Sequence, residues 1–309
     1  MDAQASRAAP AMRLLTVILC AATWVLSVGL TSCNRPPPPI PAPAHCTVGS
    51  NGEAPVIIVA GTFSPEIANE LFLGARLDQA GYTHCVFELE GDPAVGNLPG
   101  TASIDVSAAA LGDFVDSVLA WSGANGAVQV DLVGHSQGAL VARHYIKFGD
   151  GESKVKTMVS LSGPNEGTEV AGLVELFLEP VLAPYGVTCE GVAPCEEMQL
   201  GSSLISDLND GDDTPGNTNY YAFYTDNDLL VWYWGTGPLG LPVIKFDNAE
   251  LGDGATNVQV DEECPLRFVS HGGMIVDPVV FEMVDDALAG RTIDVPIATC
   301  LLPPIPSPI

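Results

Sequence analysis

Gly134-His135-Ser136-Gln137-Gly138 sets a serine between two glycines, behind an apolar run and ahead of a helical one. Val128-Gln129-Val130-Asp131-Leu132-Val133 reads as a strand, and residues 140–148 carry helical spacing. A strand-to-helix turn tight enough to lift a hydroxyl above a sheet strains the backbone, and only glycines leave room there for the neighbouring strand and helix. Ser136 is therefore the candidate nucleophile. The competing explanation is a small-residue turn closing a tight crossover. Because the bare pattern is weak in a glycine-rich chain, the strand before it and the helix after it carry the assignment.

A serine hydroxyl needs a base, and this turn is followed along the chain first by an acid and then by a histidine. The chain has five histidines. His45 and His84 precede the motif, His135 lies inside it and reads as a packing residue, and His144 sits on the following helix. His271, in Ser270-His271-Gly272-Gly273, lies far enough downstream to be the general base. The acid must accept a hydrogen bond from the imidazole and fix its tautomer. Tyr220-Tyr221-Ala222-Phe223-Tyr224-Thr225 reads as a strand, and Asp226-Asn227-Asp228 lies at its carboxyl end, where α/β sheets present functional groups. Asp228 is favoured and Asp226 is the alternative. Acids at 210–213, Asp247 and Asp253 read as solvated loop charges. Two main-chain N–H groups must face the developing oxyanion. Gln137, after the nucleophile, supplies one, and Thr62, in the Gly61-Thr62-Phe63 loop, supplies the other.

Positioning these groups requires a sheet, and the chain alternates accordingly. Pro55-Val56-Ile57-Ile58-Val59-Ala60-Gly61 is a continuous apolar run, as in a strand buried on both faces. Helical spacing follows over 65–80 and 106–121, with a second strand at Cys85-Val86-Phe87 between them. Residues 155–161 make a fourth strand after the serine motif. The later part is less regular, with strands expected at 220–225 and 256–260 and a helix at 278–288. Such alternation predicts an α/β fold, a mostly parallel sheet with helices on both faces, as one domain over residues 46–300.

The 309 residues carry 11 Lys+Arg against 38 Asp+Glu, a formal charge of −27. So acidic a surface excludes nucleic acid and a polybasic attachment to anionic lipid. It also disfavours anionic substrates. Residues 1–33 read as a signal peptide: Arg7 and Arg13 precede an apolar run over 14–30 that is slightly short for a bilayer span. Leu30-Thr31-Ser32-Cys33 suits lipidation at Cys33. An ordinary cleavage near Ala42-Pro43-Ala44 and an uncleaved anchor are the alternatives. Residues 34–45 form a proline-rich linker and 301–309 a proline-rich tail. Beyond Cys20 and Cys33, six cysteines remain: Cys46, Cys85, Cys189, Cys195, Cys264 and Cys300. An even number in an exported chain suggests three disulfides of open connectivity, with buried free thiols as the alternative.

Beyond chemistry read residue by residue, several segments together resemble a known family. They are Val59-Ala60-Gly61-Thr62-Phe63, the serine motif, Ser162-Gly163-Pro164-Asn165-Glu166-Gly167-Thr168, Tyr224-Thr225-Asp226-Asn227-Asp228, and Cys264-Pro265 ahead of Ser270-His271-Gly272. From residue 54 to 300 the chain is similar to bacterial extracellular lipases and esterases of the α/β-hydrolase fold, the class 2 lipases. The resemblance implies Ser136, Asp228 and His271 as a triad, with Thr62 and Gln137 as oxyanion donors. It also implies disulfides Cys46–Cys85 and Cys264–Cys300, leaving Cys189–Cys195 to pair locally. The family has His-Gly after the first strand where this chain has Ala60-Gly61. Since the donor is a backbone amide, the oxyanion hole is expected to survive.

The function expected on this basis is a serine carboxylic ester hydrolase acting on neutral acyl esters or lipids, exported, monomeric, and without metal or cofactor. Acyl transfer on the same triad and an inactive anchored binding lipoprotein are the alternatives. Residues 170–185 are apolar and suit either a lid or a helix packed on the sheet. Trp232, Tyr233 and Trp234 suit either a pocket wall or core.

Overall fold

The computed structural model of the protein describes residues 41–123, 126–169 and 192–303. The signal-like run, Cys33, the linker as far as residue 40, the apolar segment at 170–185, Cys189 and the tail beyond 303 lie outside the described residues.

The strands are β1 (Cys46–Thr47), β2 (Val56–Val59), β3 (His84–Phe87), β4 (Val130–His135), β5 (Val155–Leu161), β6 (Asn219–Tyr224), β7 (Tyr233–Thr236), β8 (Pro242–Lys245) and β9 (Ala255–Gln259). Among the described residues, seven of them form one sheet in the order β1-β3-β2-β4-β5-β6-β9. Its pairs are parallel except for β1, which runs antiparallel to β3 at the edge. Every residue of β2, β3 and β4 is buried. That is why β2 reads as an unbroken apolar run and not as an alternating one.

Helices cover both faces. A helical run over Glu66–Asn69, Glu70–Gly74 and Ala75–Gln79, π-wound in its middle piece, is α1. It is followed by α2 (Ile104–Ser122), α3 (Gln137–Phe148) and α4 (Pro278–Leu288). Successive side chains of a strand point to opposite faces, and the core divides accordingly. Ile57 and Val59 pack with Ile104, Leu111 and Val115 of α2 and Leu140 of α3. Val56 and Ile58 pack with Leu77 of α1 and Met283 and Val284 of α4. The fold is the α/β architecture expected.

Short helices at Ala193–Glu197, Ser203–Asn209, Val260–Glu263 and Ile297–Cys300 escaped the periodicity, as did two features among the strands. One is the two-residue β1, too short to show a pattern. The other is the β7–β8 hairpin, which forms its own sheet. A further difference is the start of α3 at Gln137, earlier than the apolar spacing indicated. Its first turn carries Gly138, where a Cβ would come within 2.3 Å of the Val59 carbonyl oxygen. Close packing against β2 overrides glycine's low helix propensity there. Asp213 is also not a solvated charge. Its carboxylate accepts the Gly252 N–H at 2.8 Å and stands 4.0 Å from the buried Arg143 guanidinium.

Disulfides join Cys46 to Cys85 and Cys264 to Cys300. The first ties edge strand β1 to β3, and the second ties the end of the chain to the segment before His271. Cys195 is disulfide-bonded as well. Sequence separations of 39 and 36 correspond to about 4 kcal/mol per bridge in the chain-entropy model, with smaller gains common in practice. Reduction is therefore expected to lower the melting temperature by several degrees. Calorimetry with and without a reductant checks it, and an unchanged transition would refute a stabilising role.

Asp131 is fully buried in β4. Burial pushes its carboxyl up from 3.8 to about 7, against the opposing pull of Lys156. Between these values the folded state keeps a proton that the unfolded state has lost, so stability falls as pH rises through that window, by about 4 kcal/mol in all. Asp131→Asn keeps the shape without the ionisation. It is expected to raise the melting temperature at pH 8 and to have a much smaller effect at pH 4.5. Equal shifts at both pH values would contradict this.

Candidate active site

β4 ends at His135 and α3 begins at Gln137, which leaves Ser136 alone at the turn with φ 55° and ψ −126°. A non-glycine residue in this region is strained, and surrounding structure must hold it there. The Ser136 N–H donates to the Leu161 carbonyl of β5 at 2.9 Å, and the Ser136 carbonyl accepts from the Ala139 N–H at 3.0 Å. The motif's glycines allow the approach. A Cβ on Gly134 would lie 2.7 Å from Ala139 N and Cα. The hydroxyl-bearing residue thus stands at the carboxyl edge of the sheet.

The loop after β6 brings Asp228 to the same edge, buried at 2% exposure. One carboxylate oxygen, Oδ1, accepts the N–H groups of Leu230 at 2.8 Å and Val231 at 2.9 Å. The other, Oδ2, stands 2.8 Å from Nδ1 of His271, itself buried. Burial alone would raise the Asp228 carboxyl, but the His271 ring and the two amides together hold it below the usual carboxylate range. Asp226 is exposed and turned elsewhere: its carboxylate accepts from Gln259 Nε2, and its N–H donates to Asp261. Burial and the nearby Asp261 and Glu262 raise it. Of the two acids considered, Asp228 is the one that meets His271.

Thr62 follows β2. Its hydroxyl donates to Gln137 Oε1 at 2.5 Å, tying the loop after β2 to the first turn of α3. Both main-chain segments proposed to hold the oxyanion are therefore adjacent. Ala60, which stands where the resembled family has histidine, is fully buried. Support for the loop comes from elsewhere. The Phe63 N–H donates to Pro99 O at 3.0 Å. Gly100, at φ 75°, lies so close that a Cβ would come within 2.9 Å of Thr62 Cα. Nothing in the local spacing pointed to 99–100, because the contact joins segments far apart in the chain.

Sequence reading also missed the brace of the His271 loop. Arg267 and Asp277 form a buried ion pair, with Nη2 2.8 Å from Oδ2 and Nε 3.1 Å from both carboxylate oxygens. Thr225 Oγ1 donates to Val269 O at 2.9 Å. An arginine ten residues before an aspartate, in a chain with only 11 cations, was the available signal. The other histidines lie apart from Asp228. His45 pairs with Glu66, His84 with Glu70, and His144 packs edge-on against Phe148. His135 is buried beside His271. Trp232 and Trp234 are T-stacked at 5.7 Å, with Trp234 on the exposed side of the β7–β8 hairpin and outside the core. Among the described residues no group of three His, Cys, Asp or Glu could hold a metal ion.

Solved structures share this architecture. Lipase B of Aspergillus fumigatus aligns over 82% of this chain and 56% of its own, with a TM-score of 0.60 at 18% identity. The putative non-heme bromoperoxidase BpoC of Mycobacterium tuberculosis H37Rv aligns over 79% of this chain and 94% of its own, with a TM-score of 0.50 at 14% identity. At such identities these matches establish the α/β-hydrolase fold alone. In sequence, 117 residues are 42% identical to a triacylglycerol lipase of Pseudomonas fragi. That alignment covers 38% of this chain and 37% of the relative, so well under half of either protein is compared. Residues 53–261 match the family model described as lipase (class 2). This stretch takes in β2, the serine turn and Asp228, and stops short of His271. It covers more than half of the 309 residues, and on that ground the chain belongs to the class 2 lipase family.

Proposed function

We propose that the protein is an exported carboxylic ester hydrolase that cleaves neutral acyl esters through an acyl-enzyme on Ser136. The observation that carries this reading is the His271 Nδ1–Asp228 contact of 2.8 Å, made by a carboxylate whose other oxygen is already engaged by two amides. So held, Asp228 keeps the proton of His271 on Nδ1 and leaves Nε2 as the acceptor. Ser136 attacks the ester carbonyl while His271 takes its proton. The main-chain N–H groups of Gln137 and Thr62 stabilise the oxyanion. His271 then returns the proton to the departing alcohol, and a water repeats the sequence to release the acid.

Charge and exposed surface support a neutral, apolar substrate. Leu229, Trp234, Leu239 and Ile244 are exposed on the segment that follows Asp228, and Leu266 and Phe268 on the segment that precedes His271. Residues 229–246 contain no acid, in a chain of net charge −27. Such an apolar, acid-free border suits acyl chains better than phosphoesters. Export fits the disulfides, which persist in oxidising compartments. Cys33 is the proposed point of lipid attachment. No helix among the described residues is long and apolar enough to cross a membrane.

The test pairs a fluorophosphonate probe with p-nitrophenyl esters of increasing chain length. Stoichiometric labelling at Ser136 and turnover that varies with chain length are expected. Folded protein left unlabelled would overturn the proposal.

A further inference from the structure

His135 reads in the sequence as filler beside the nucleophile, but its contacts lead to the base. It is buried at 7% exposure, and its Nε2 lies 3.0 Å from the main-chain oxygen of His271. A carbonyl can only accept, so Nε2 must carry the hydrogen. A neutral ring then leaves Nδ1 bare, and Nδ1 is buried without a hydrogen-bond partner. It faces Gly61, where a Cβ would stand 3.2 Å away. Burial, and then the charge of His271, push the His135 imidazole down to about 3. The two rings are 4.7 Å apart between centroids. A charged neighbour at that distance would oppose the imidazolium that His271 must become during turnover, and a neutral one does not.

We propose that His135 is a positioning residue for the base: its Nε2–H anchors the His271 main chain to the end of β4, one residue from the nucleophile. The inference rests on the proposed roles of Ser136 and His271. Asp228 grips the ring at Nδ1, and His135 grips the backbone of the same residue. Among the described residues the Met274 N–H also donates to that carbonyl, at a longer 3.3 Å. With both grips in place, the imidazole is fixed relative to the serine turn. With one lost, the ring pivots on Asp228 alone. A 1 Å misplacement of a catalytic group can cost on the order of 10²-fold in rate.

The variants that test this differ in where a donor can sit. Glutamine places an amide N–H near the position of imidazole Nε2, asparagine falls short of it, and leucine offers no donor. On a soluble p-nitrophenyl ester, His135→Gln is expected to keep kcat within about threefold of the native enzyme. His135→Asn and His135→Leu are expected to lose roughly 10–100-fold in kcat with KM little changed. Circular dichroism checks that each variant is folded, and should the leucine variant not fold, the glutamine–asparagine comparison alone decides. Native kcat in folded His135→Asn would overturn the proposal, as would equal losses in the glutamine and asparagine variants. Fluorophosphonate labelling of the native enzyme runs alongside. A native enzyme whose Ser136 fails to label refutes the underlying reading of Ser136, whereas labelled native enzyme with an unimpaired asparagine variant refutes only the role of His135.

Discussion

Ser136→Ala is expected to lower kcat for a p-nitrophenyl ester by about 10⁶-fold, the scale seen when the serine of a protease triad is removed. The loss follows from what the hydroxyl alone supplies. On the proposed mechanism His271 and Asp228 act through the Ser136 hydroxyl, and residual hydrolysis would come from water at the oxyanion donors. Stability should scarcely move, because the exchange removes one oxygen and leaves the Ser136 N–H bond to Leu161 O intact. A companion variant separates strain from chemistry. At φ 55° and ψ −126°, Ser136→Gly relieves a conformation costing roughly 1–3 kcal/mol in a residue with a Cβ. It should be as inactive as the alanine variant and more thermostable than the native protein. Retained turnover in either variant would remove Ser136 from the mechanism. A glycine variant that melts below the native protein would contradict the account of strain.

Asp228→Asn is expected to cost about 10⁴-fold in kcat, and Asp226→Asn no more than a few-fold. Hydrogen-bond polarity gives the reason. The position facing Leu230 and Val231 must accept two N–H groups, so an asparagine there turns its oxygen to those amides and its NH₂ towards His271. The imidazole must then accept at Nδ1 and carry its proton on Nε2, where it cannot take one from serine. Protein folding should change little, because every amide keeps a partner. The pH profile offers a second reading. Asp228 is held below the usual carboxylate range, so it stays ionised well into acid, and loss of activity on acidification should not follow the protonation of a free carboxyl. If the Asp226 variant proves the more damaging, the acid has been misassigned and the contact at 2.8 Å is structural.

Local pattern determined a good deal of this protein. The apolar runs that become β2, β4 and β5, the helical spacing of α2 and α4, and the serine turn between strand and helix all depend on residues close together in the chain. Steric limits and burial act there at a range the sequence displays directly. The order of Ser136, then acid, then His271 also singled out one histidine among five. Other questions had no local signature. Asp226 and Asp228 sit at the end of the same strand with similar neighbours. Only the path of the loop turns one towards His271 and the other towards Gln259. Asp213 looks like a solvated charge until Gly252 and Arg143 are brought to it. Pro99 and Gly100 support a loop more than thirty residues earlier, and Arg267 pairs with Asp277 across the far side of the His271 turn. His135, legible only as filler, reaches the main chain of a residue 136 positions away. Apart from Arg267 and Asp277, each of these depends on partners distant in sequence. Whether such a group is buried, paired or free is set by the packing of the sheet and its loops, a property no window of the sequence contains.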